Sequence, residues 1–396
     1  DIIIAICPVF LFRVDGYMGV ANERALKIAG IDKHTLNPPG GVIEKDPRTG
    51  EPTGILKGTA VDLVRQFFPA RDREKVKAAV DHCLSEARQY GITTLQGAVS
   101  QQEYDVLTEL SASDSLTSRI HIIGQFTESG GGKSFQAIGR FPLLTNELKD
   151  IRLDGTFATH SMLMYSSPDK ADSGWEHVSL HQEGVNRLVF AAGRQDVPVS
   201  MTATGDSACS MACTAFEKAR NIGEITPRIN CAEALREKDI PRLADLKGVV
   251  AIQPLIGVEQ REWLADLIGE HGMRSCHLWR SLLEGGVSLA LGSKWPSAEI
   301  SPFHVIYAAV RGTKPGEQPP ASKPETISVE DAVRAYTVGS ALAEGREDVK
   351  GTIEVGKYAD IIVLDRNILN IPVEMIPETK VLYTFVGGNM VYKDAE

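Results

Sequence analysis

The stretch "VSLALGSKWP", residues 287–296, is an apolar run from Val287 to Leu291 followed by Gly292, Ser293, Lys294, Trp295 and Pro296. A short apolar run bounded by turn residues marks a strand buried on both faces, as in a parallel sheet. Lys294 then lies just past the C-terminal end of that strand, the end at which α/β barrels carry their chemistry.

Similar runs recur along the chain, at Ile2–Val9, Ile92–Gln96, Arg119–Gln125, Ile151–Leu153, Val197–Thr202, Arg228–Cys231 and Val249–Gln253. Between several of them lie amphipathic segments of helical length, such as "REKVKAAVDHCLSEARQYG" (73–91), closed by Gly91, and "QEGVNRLVFAAGRQ" (182–195). This alternation predicts an α/β fold with a parallel sheet and crossover helices. A barrel accommodates this many strands best, and a doubly wound open sheet is the alternative. No G-x-G-x-x-G or P-loop follows an early strand, so no dinucleotide or phosphate cradle is predicted.

Beyond the last run, "RGTKPGEQPPASKPETIS" (311–328) reads as a surface loop. "SVEDAVRAYTVGSALAEG" (328–345) reads as a helix with Ser328 as N-cap and Asp331 three residues on. The tail changes style. "GTIEVGKYADIIVLD" and "KVLYTFVGGNMVYK" read as strands punctuated by Gly356 and Gly387-Gly388. The expected organisation is therefore a barrel over 1–345 and C-terminal β-strands over 346–396.

The chain has 396 residues, 43% of them apolar and 24% charged, which is ordinary globular composition. Its net charge of −10, without any Lys/Arg block, argues against a nucleic-acid or anionic-membrane partner. The longest uncharged apolar run, Ile2 to Phe12, is shorter than the ~20 residues needed to span a bilayer and lacks a basic leader. A chain opening on Asp1 directly into a strand reads as one that follows an upstream segment. Six cysteines without a C-x-x-C pair suggest free thiols in a reducing, cytoplasmic setting. Cys209 and Cys213, one helical turn apart, read as packing residues. The expected partner is a small-molecule substrate or ligand, and a homodimer is left open.

Seven segments in order carry a resemblance: "DGYMGVANERALKIAGI", "PPGGVIEKDPRTGEPTGILKGTAVDLV", "YGITTLQGA", "TATGDSA", "PRINCAEAL", "WRSLLEGGVSLALGSKWP" and "DAVRAYTVGSALAEG…GTIEVGKYADIIVLD". They resemble the amidohydrolase superfamily, and within it amidohydrolase family 3, the YtcJ-like group that includes N-substituted formamide deformylases. The resemblance implies a distorted (β/α)8 TIM-like barrel with a small β-sandwich built from both chain ends. It also implies C–N bond hydrolysis at one or two divalent metals, zinc or another, which activate water and polarise a carbonyl.

The ligand positions implied by the resemblance are substituted. The family's H-x-H pair has no counterpart in the chain, so one of the eight strand candidates is not expected to be a barrel strand. Thr202 in "TATGD" and Cys231 in "RINC" stand for histidines, Asn230 for a glutamate, Lys294 in "GSKWP" for an aspartate, and Tyr17 in "DGYMG" for a histidine. A bridging lysine is not cleanly placed in "LKDIRLDGT", where Lys149 or Asp150 falls at its position depending on alignment and Arg152 follows on the strand. No metal site is therefore expected.

Lys294 has two readings. It could supply the charge that the metal would have brought, with a depressed pKa if desolvated, polarising a carbonyl, binding a carboxylate or forming a Schiff base. It could instead pair with Asp206, Asp154 or Glu299, or merely fill space. Cys231 and Asp206 are the candidate nucleophile and general base, with packing the plainer reading of Cys231. Tyr17, Asp154, His160, Thr202, Asn230, Gln253, His277 and Trp295 are candidates to line the pocket. His177 and His181 have i,i+4 spacing but read as surface residues. Three functions stay open: a metal-dependent hydrolase; a metal-free lyase, isomerase or cyclase; and a non-catalytic binding protein.

Overall fold

The computed structural model describes residues 7–14, 16–126, 143–145, 148–165, 180–222, 227–318 and 325–395. Its centre is a wall of parallel strands. Thr94–Gly97, Arg119–Ile122 and Leu144–Thr145 pair in one sheet. Gly124–Gln125, Lys149–Arg152, Val199–Ala203, Arg228–Cys231, Val249–Ile252 and Ser288–Leu291 pair in the next, also all parallel. Only Ile123 separates Arg119–Ile122 from Gly124–Gln125, so this stretch carries one sheet into the other.

Period-2 alternation sorts the strands into two faces. Ile151, Met201, Ile229, Ile252 and Leu289 point outward into the main apolar core. There they meet the Gln182–Arg194 helix, whose Val185, Leu188, Val189 and Ala192 recur at i, i+3, i+4 and i+7. The Asp206–Ala219 helix packs beside it through small residues, with Cys209 and Cys213 buried among them as packing groups. Each large apolar side chain buried here contributes about 1.5–3 kcal/mol. The inward face is polar, carrying Asp150, Arg152, Ser200, Thr202, Arg228 and Asn230.

A helical segment spans the two ends of the wall. Val329–Arg334, a π turn at Ala335–Gly339 and Ser340–Glu344 run continuously from the Ser328 N-cap, whose hydroxyl accepts from Asp331 N, to Gly345 in the left-handed conformation. Ser340 touches both edge strands: its Oγ donates to Leu291 O at 3.3 Å, and its carbonyl accepts from Gln96 Nε2 at 3.2 Å. Ala343 packs with the inward-facing Val249, Ala251 and Ala290, and its carbonyl accepts from Arg228 Nη1 at 2.8 Å.

Two antiparallel sheets flank the wall. Phe10–Phe12, Met18–Ala21, Pro52–Gly58 and Gly41–Lys45 form a four-stranded sheet around Ile43, Leu56 and Val61. Of the Ile2–Val9 strand expected from the sequence, Ile2–Ile6 lie outside the described residues and Cys7–Val9 are not strand; the strand that follows, Phe10–Phe12, belongs to this sheet and not to the wall. At the other end, Ile361–Leu364, Val381–Val386 and Asn389–Lys393 form the small C-terminal β unit. Arg119 ties it to the wall, donating from Nε to Asp360 Oδ2 at 2.6 Å and from Nη2 to Asp360 Oδ1 at 2.9 Å. Among the described residues, no helix is long and apolar enough to cross a membrane.

Candidate active site at the strand ends

A cavity of about 170 Å³ opens at the C-terminal ends of the parallel strands. Its walls come from successive strand ends: Arg152 with Gly155 and Thr156, Thr202 with Thr204, then Cys231, Gln253 and Lys294. Tyr17 closes it from the four-stranded sheet, held in place where Gly58 N donates to its carbonyl at 2.8 Å. Five candidates from the sequence thus converge here: Tyr17, Thr202, Cys231, Gln253 and Lys294.

The backbone at the mouth departs from ordinary strand geometry. Cys231 (φ 78°), Ala232 (φ 43°) and Lys294 (φ 59°) all lie in the left-handed region. Non-glycine residues there cost of order 1–3 kcal/mol each and gather at functional sites. The Trp295–Pro296 peptide is cis.

Two cations share the cavity. The Arg152 guanidinium lies 4.8 Å from the centroid of the Tyr17 ring. Among the described residues, neither Arg152 nor Lys294 has a carboxylate within ion-pairing distance. Burial pulls the Lys294 ammonium down, but Cys231, Glu233 and Tyr17 more than offset this and the net shift is upward. That net direction is opposite to the depressed value considered from the sequence. Burial pushes the Cys231 thiol up to about 11 against the opposing influence of Lys294, so it is protonated near neutral pH and not an activated nucleophile.

The proposed partners of Lys294 are occupied elsewhere. Asp206 opens the Asp206–Ala219 helix, accepts from Tyr165 N at 2.9 Å and does not line the cavity, which removes it as the general base beside Lys294. Asp154 is buried and accepts three backbone amides, from Leu163, Thr204 and Gly205 at 2.8–2.9 Å. Burial outweighs those bonds and lifts its carboxyl to about 7. Glu299 pairs with His304 at 2.6 Å.

Other candidates also fall outside the cavity. Asn230 does not line it, and its Nδ2 donates to Asp150 Oδ1 at 3.0 Å. His160 is exposed, in the left-handed conformation after a short turn. His277 is buried near Trp279 and lowered by burial to about 3, hence neutral. Trp295 is half-buried beside the mouth, with its backbone N–H donating to Ser293 Oγ at 3.2 Å. His181 precedes the Gln182–Arg194 helix, and His177 lies outside the described residues.

Register resolves the doubt in "LKDIRLDGT". Asp150 pairs with Ser200 and Arg152 with Thr202, so both face the lumen. Lys149 faces the other side, against Gly124. Arg152 was legible from that alternation. Glu233 was not: it is a fully buried carboxyl two residues past Cys231, raised by burial and lowered by Lys294, and its Oε2 has no hydrogen-bond partner among the described residues.

Among the described residues, no three His, Cys, Asp or Glu side chains cluster as ligands. The strand-end positions instead offer a neutral thiol, a hydroxyl and two cations, and the cations would repel a dication.

A sequence model of the amidohydrolase family matches residues 1–392. The protein LONG AFTER FAR-RED 3 of Arabidopsis thaliana is 29% identical over 97% of this chain and 69% of its own length. The putative amidohydrolase YtcJ of Bacillus subtilis is 27% identical over 98% of this chain and 74% of its own. The N-substituted formamide deformylase of Arthrobacter pascens is 26% identical over 98% and 73%. An uncharacterized metal-dependent hydrolase from Pyrococcus horikoshii shares the fold, with a TM-score of 0.71 at 21% identity over 92% of this chain and 73% of that one. With the parallel wall, its crossover helices and the appended β unit, these likenesses make the architecture a distorted TIM-like barrel, and the chain belongs to the amidohydrolase family.

Proposed function

We propose that this amidohydrolase-family protein takes a small organic molecule at the barrel mouth without a divalent metal, with Lys294 and Arg152 supplying the positive charge. One observation carries the reading: two cations, Arg152 and Lys294, line a single cavity at the strand ends where the family's ligand positions fall, with no carboxylate in ion-pairing distance of either among the described residues. A guanidinium and an ammonium in the wall of one cavity can bind and polarise an oxygen of a carbonyl or carboxylate. Tyr17 and Cys231 are the titratable groups besides the cations that line the cavity, and Glu233 follows two residues past Cys231 as a further group for proton transfer. The named C–N chemistry of the formamide deformylase relative is the natural reaction to try first. Binding without turnover is the second reading, supported by the protonated thiol of Cys231 and by Asp206 lying outside the cavity. The six free cysteines support a reducing, cytoplasmic setting.

A melting experiment with and without added Zn²⁺ tests the metal-free reading, because a ligand that binds only the folded state raises the midpoint. The expected result is the same melting temperature in Zn²⁺ and in EDTA. A clear rise with Zn²⁺ that EDTA reverses would overturn it. Release of formate from an N-substituted formamide, unchanged by EDTA, separates turnover from binding alone.

A further inference from the structure

We propose that the cavity selects a small organic carboxylate that also carries an N–H or O–H donor, its carboxylate held by Arg152 and Lys294 and its donor by Gln253. The inference rests on the metal-free reading above and adds the ligand's chemical class.

Three observations carry it. First, both cations line the cavity and neither is neutralised by a carboxylate within ion-pairing distance among the described residues. A partly desolvated cation is costly unless paired, and a carboxylate is the partner that matches a guanidinium fork and an ammonium together. Glu233, whose charge raises Lys294 toward its charged form, lies outside ion-pairing distance of both cations and does not line the cavity. Second, Gln253 lines the same cavity, and its buried Oε1 has no hydrogen-bond partner among the described residues, while its Nε2 donates to Ala251 O at 3.3 Å. A buried acceptor without a partner asks for a donor from the ligand. Third, a cavity of about 170 Å³ suits a small molecule. The threonines Thr156, Thr202 and Thr204 leave the remaining wall mildly polar.

The test compares acids with their neutral amides on the full-length protein by isothermal titration calorimetry. N-acetylglycine and glycolate are set against N-acetylglycinamide and glycolamide, with inorganic phosphate as a separate arm. Each acid is expected to bind at least about tenfold more tightly than its amide, as charge-assisted bonds imply. That margin is expected to shrink several-fold in Lys294→Met, where Arg152 alone remains, and to survive in Lys294→Arg, with circular dichroism confirming that both variants fold. Equal affinity for acid and amide, or binding of phosphate alone, or no binding of any probe, overturns the proposal, and the comparison on the unmodified protein needs no variant. EDTA separates the two levels of the argument. Acid binding abolished by EDTA and restored by Zn²⁺ means that the metal-free reading has failed. A flat acid-to-amide ratio in protein indifferent to EDTA means that only the ligand class is wrong.

Discussion

Thr202 and Asn230 stand opposite each other in the parallel register, and both donate to one buried carboxylate, Asp150. Thr202 Oγ1 reaches Asp150 Oδ2 at 2.8 Å, Asn230 Nδ2 reaches Oδ1 at 3.0 Å, and Ser200 Oγ adds a bond to Oδ1 at 2.8 Å. Two positions that the resemblance assigns to metal ligands thus serve as neutral donors in a closed lumen network. Asp150→Ala is expected to cost about 3 kcal/mol, since it strands several buried donors at once. Urea denaturation measures this, and a loss under half a kilocalorie would count against the network.

Asp154 couples stability to pH. Its carboxyl is lifted from 3.8 to about 7 by burial, so the folded state binds a proton that the unfolded chain has already lost. The stability this gives is present in full below about pH 4 and is lost as pH rises through about 7, at up to about 1.4 kcal/mol per pH unit. Glu233 shifts in the same direction, so the Asp154→Asn difference isolates the contribution of Asp154. Denaturation midpoints across that range should fall with pH in the parent and fall less steeply in Asp154→Asn. Parallel slopes would remove Asp154 as the cause.

The C-terminal sheet depends on one buried ion pair. Arg119 and Asp360 are 7% and 6% exposed, Gly387 N also donates to Asp360 at 2.8 Å, and the guanidinium stacks 3.9 Å from the Tyr358 ring centroid. Asp360→Ala leaves a buried guanidinium unpaired and should cost about 3–5 kcal/mol. Limited proteolysis should then cut around the C-terminal sheet. Parent-like resistance would show that other contacts hold this unit.

Gly339 marks the contact of the helical segment with the wall. A Cβ there would overlap the carbonyl oxygen of Leu289 and crowd its carbonyl carbon. Gly339→Ala should therefore destabilise the protein by more than about 2 kcal/mol, although alanine is ordinarily the better helix former. An unchanged or raised melting temperature would contradict this packing.

Much of the architecture was legible because parallel strands and amphipathic helices announce themselves by period. The Ser328 cap, the left-handed Gly91 at the end of the Arg73–Gln89 helix and the C-terminal strands follow local rules that tertiary context did not override. At the site, residues standing directly at strand ends, Thr202, Cys231 and Lys294, could be found by counting. Asp206 could not be placed that way, because it follows the turn at Gly205 and its carboxylate is taken by the Tyr165 amide. His160 and His277 sit at left-handed loop positions, where no period indicates direction. Glu233 was hidden for the same reason: Cys231 and Ala232, both at positive φ, turn the chain before it.

Metal content measures the central claim most directly. Full-length protein expressed with supplemented zinc, manganese, iron and cobalt, then dialysed without chelator, should carry far less than one divalent ion per chain by plasma mass spectrometry, while still binding its small-molecule ligand. A stoichiometric ion whose removal by chelator abolishes ligand binding would contradict the account, because Lys294 and Arg152 would then not be the charges on which the site relies.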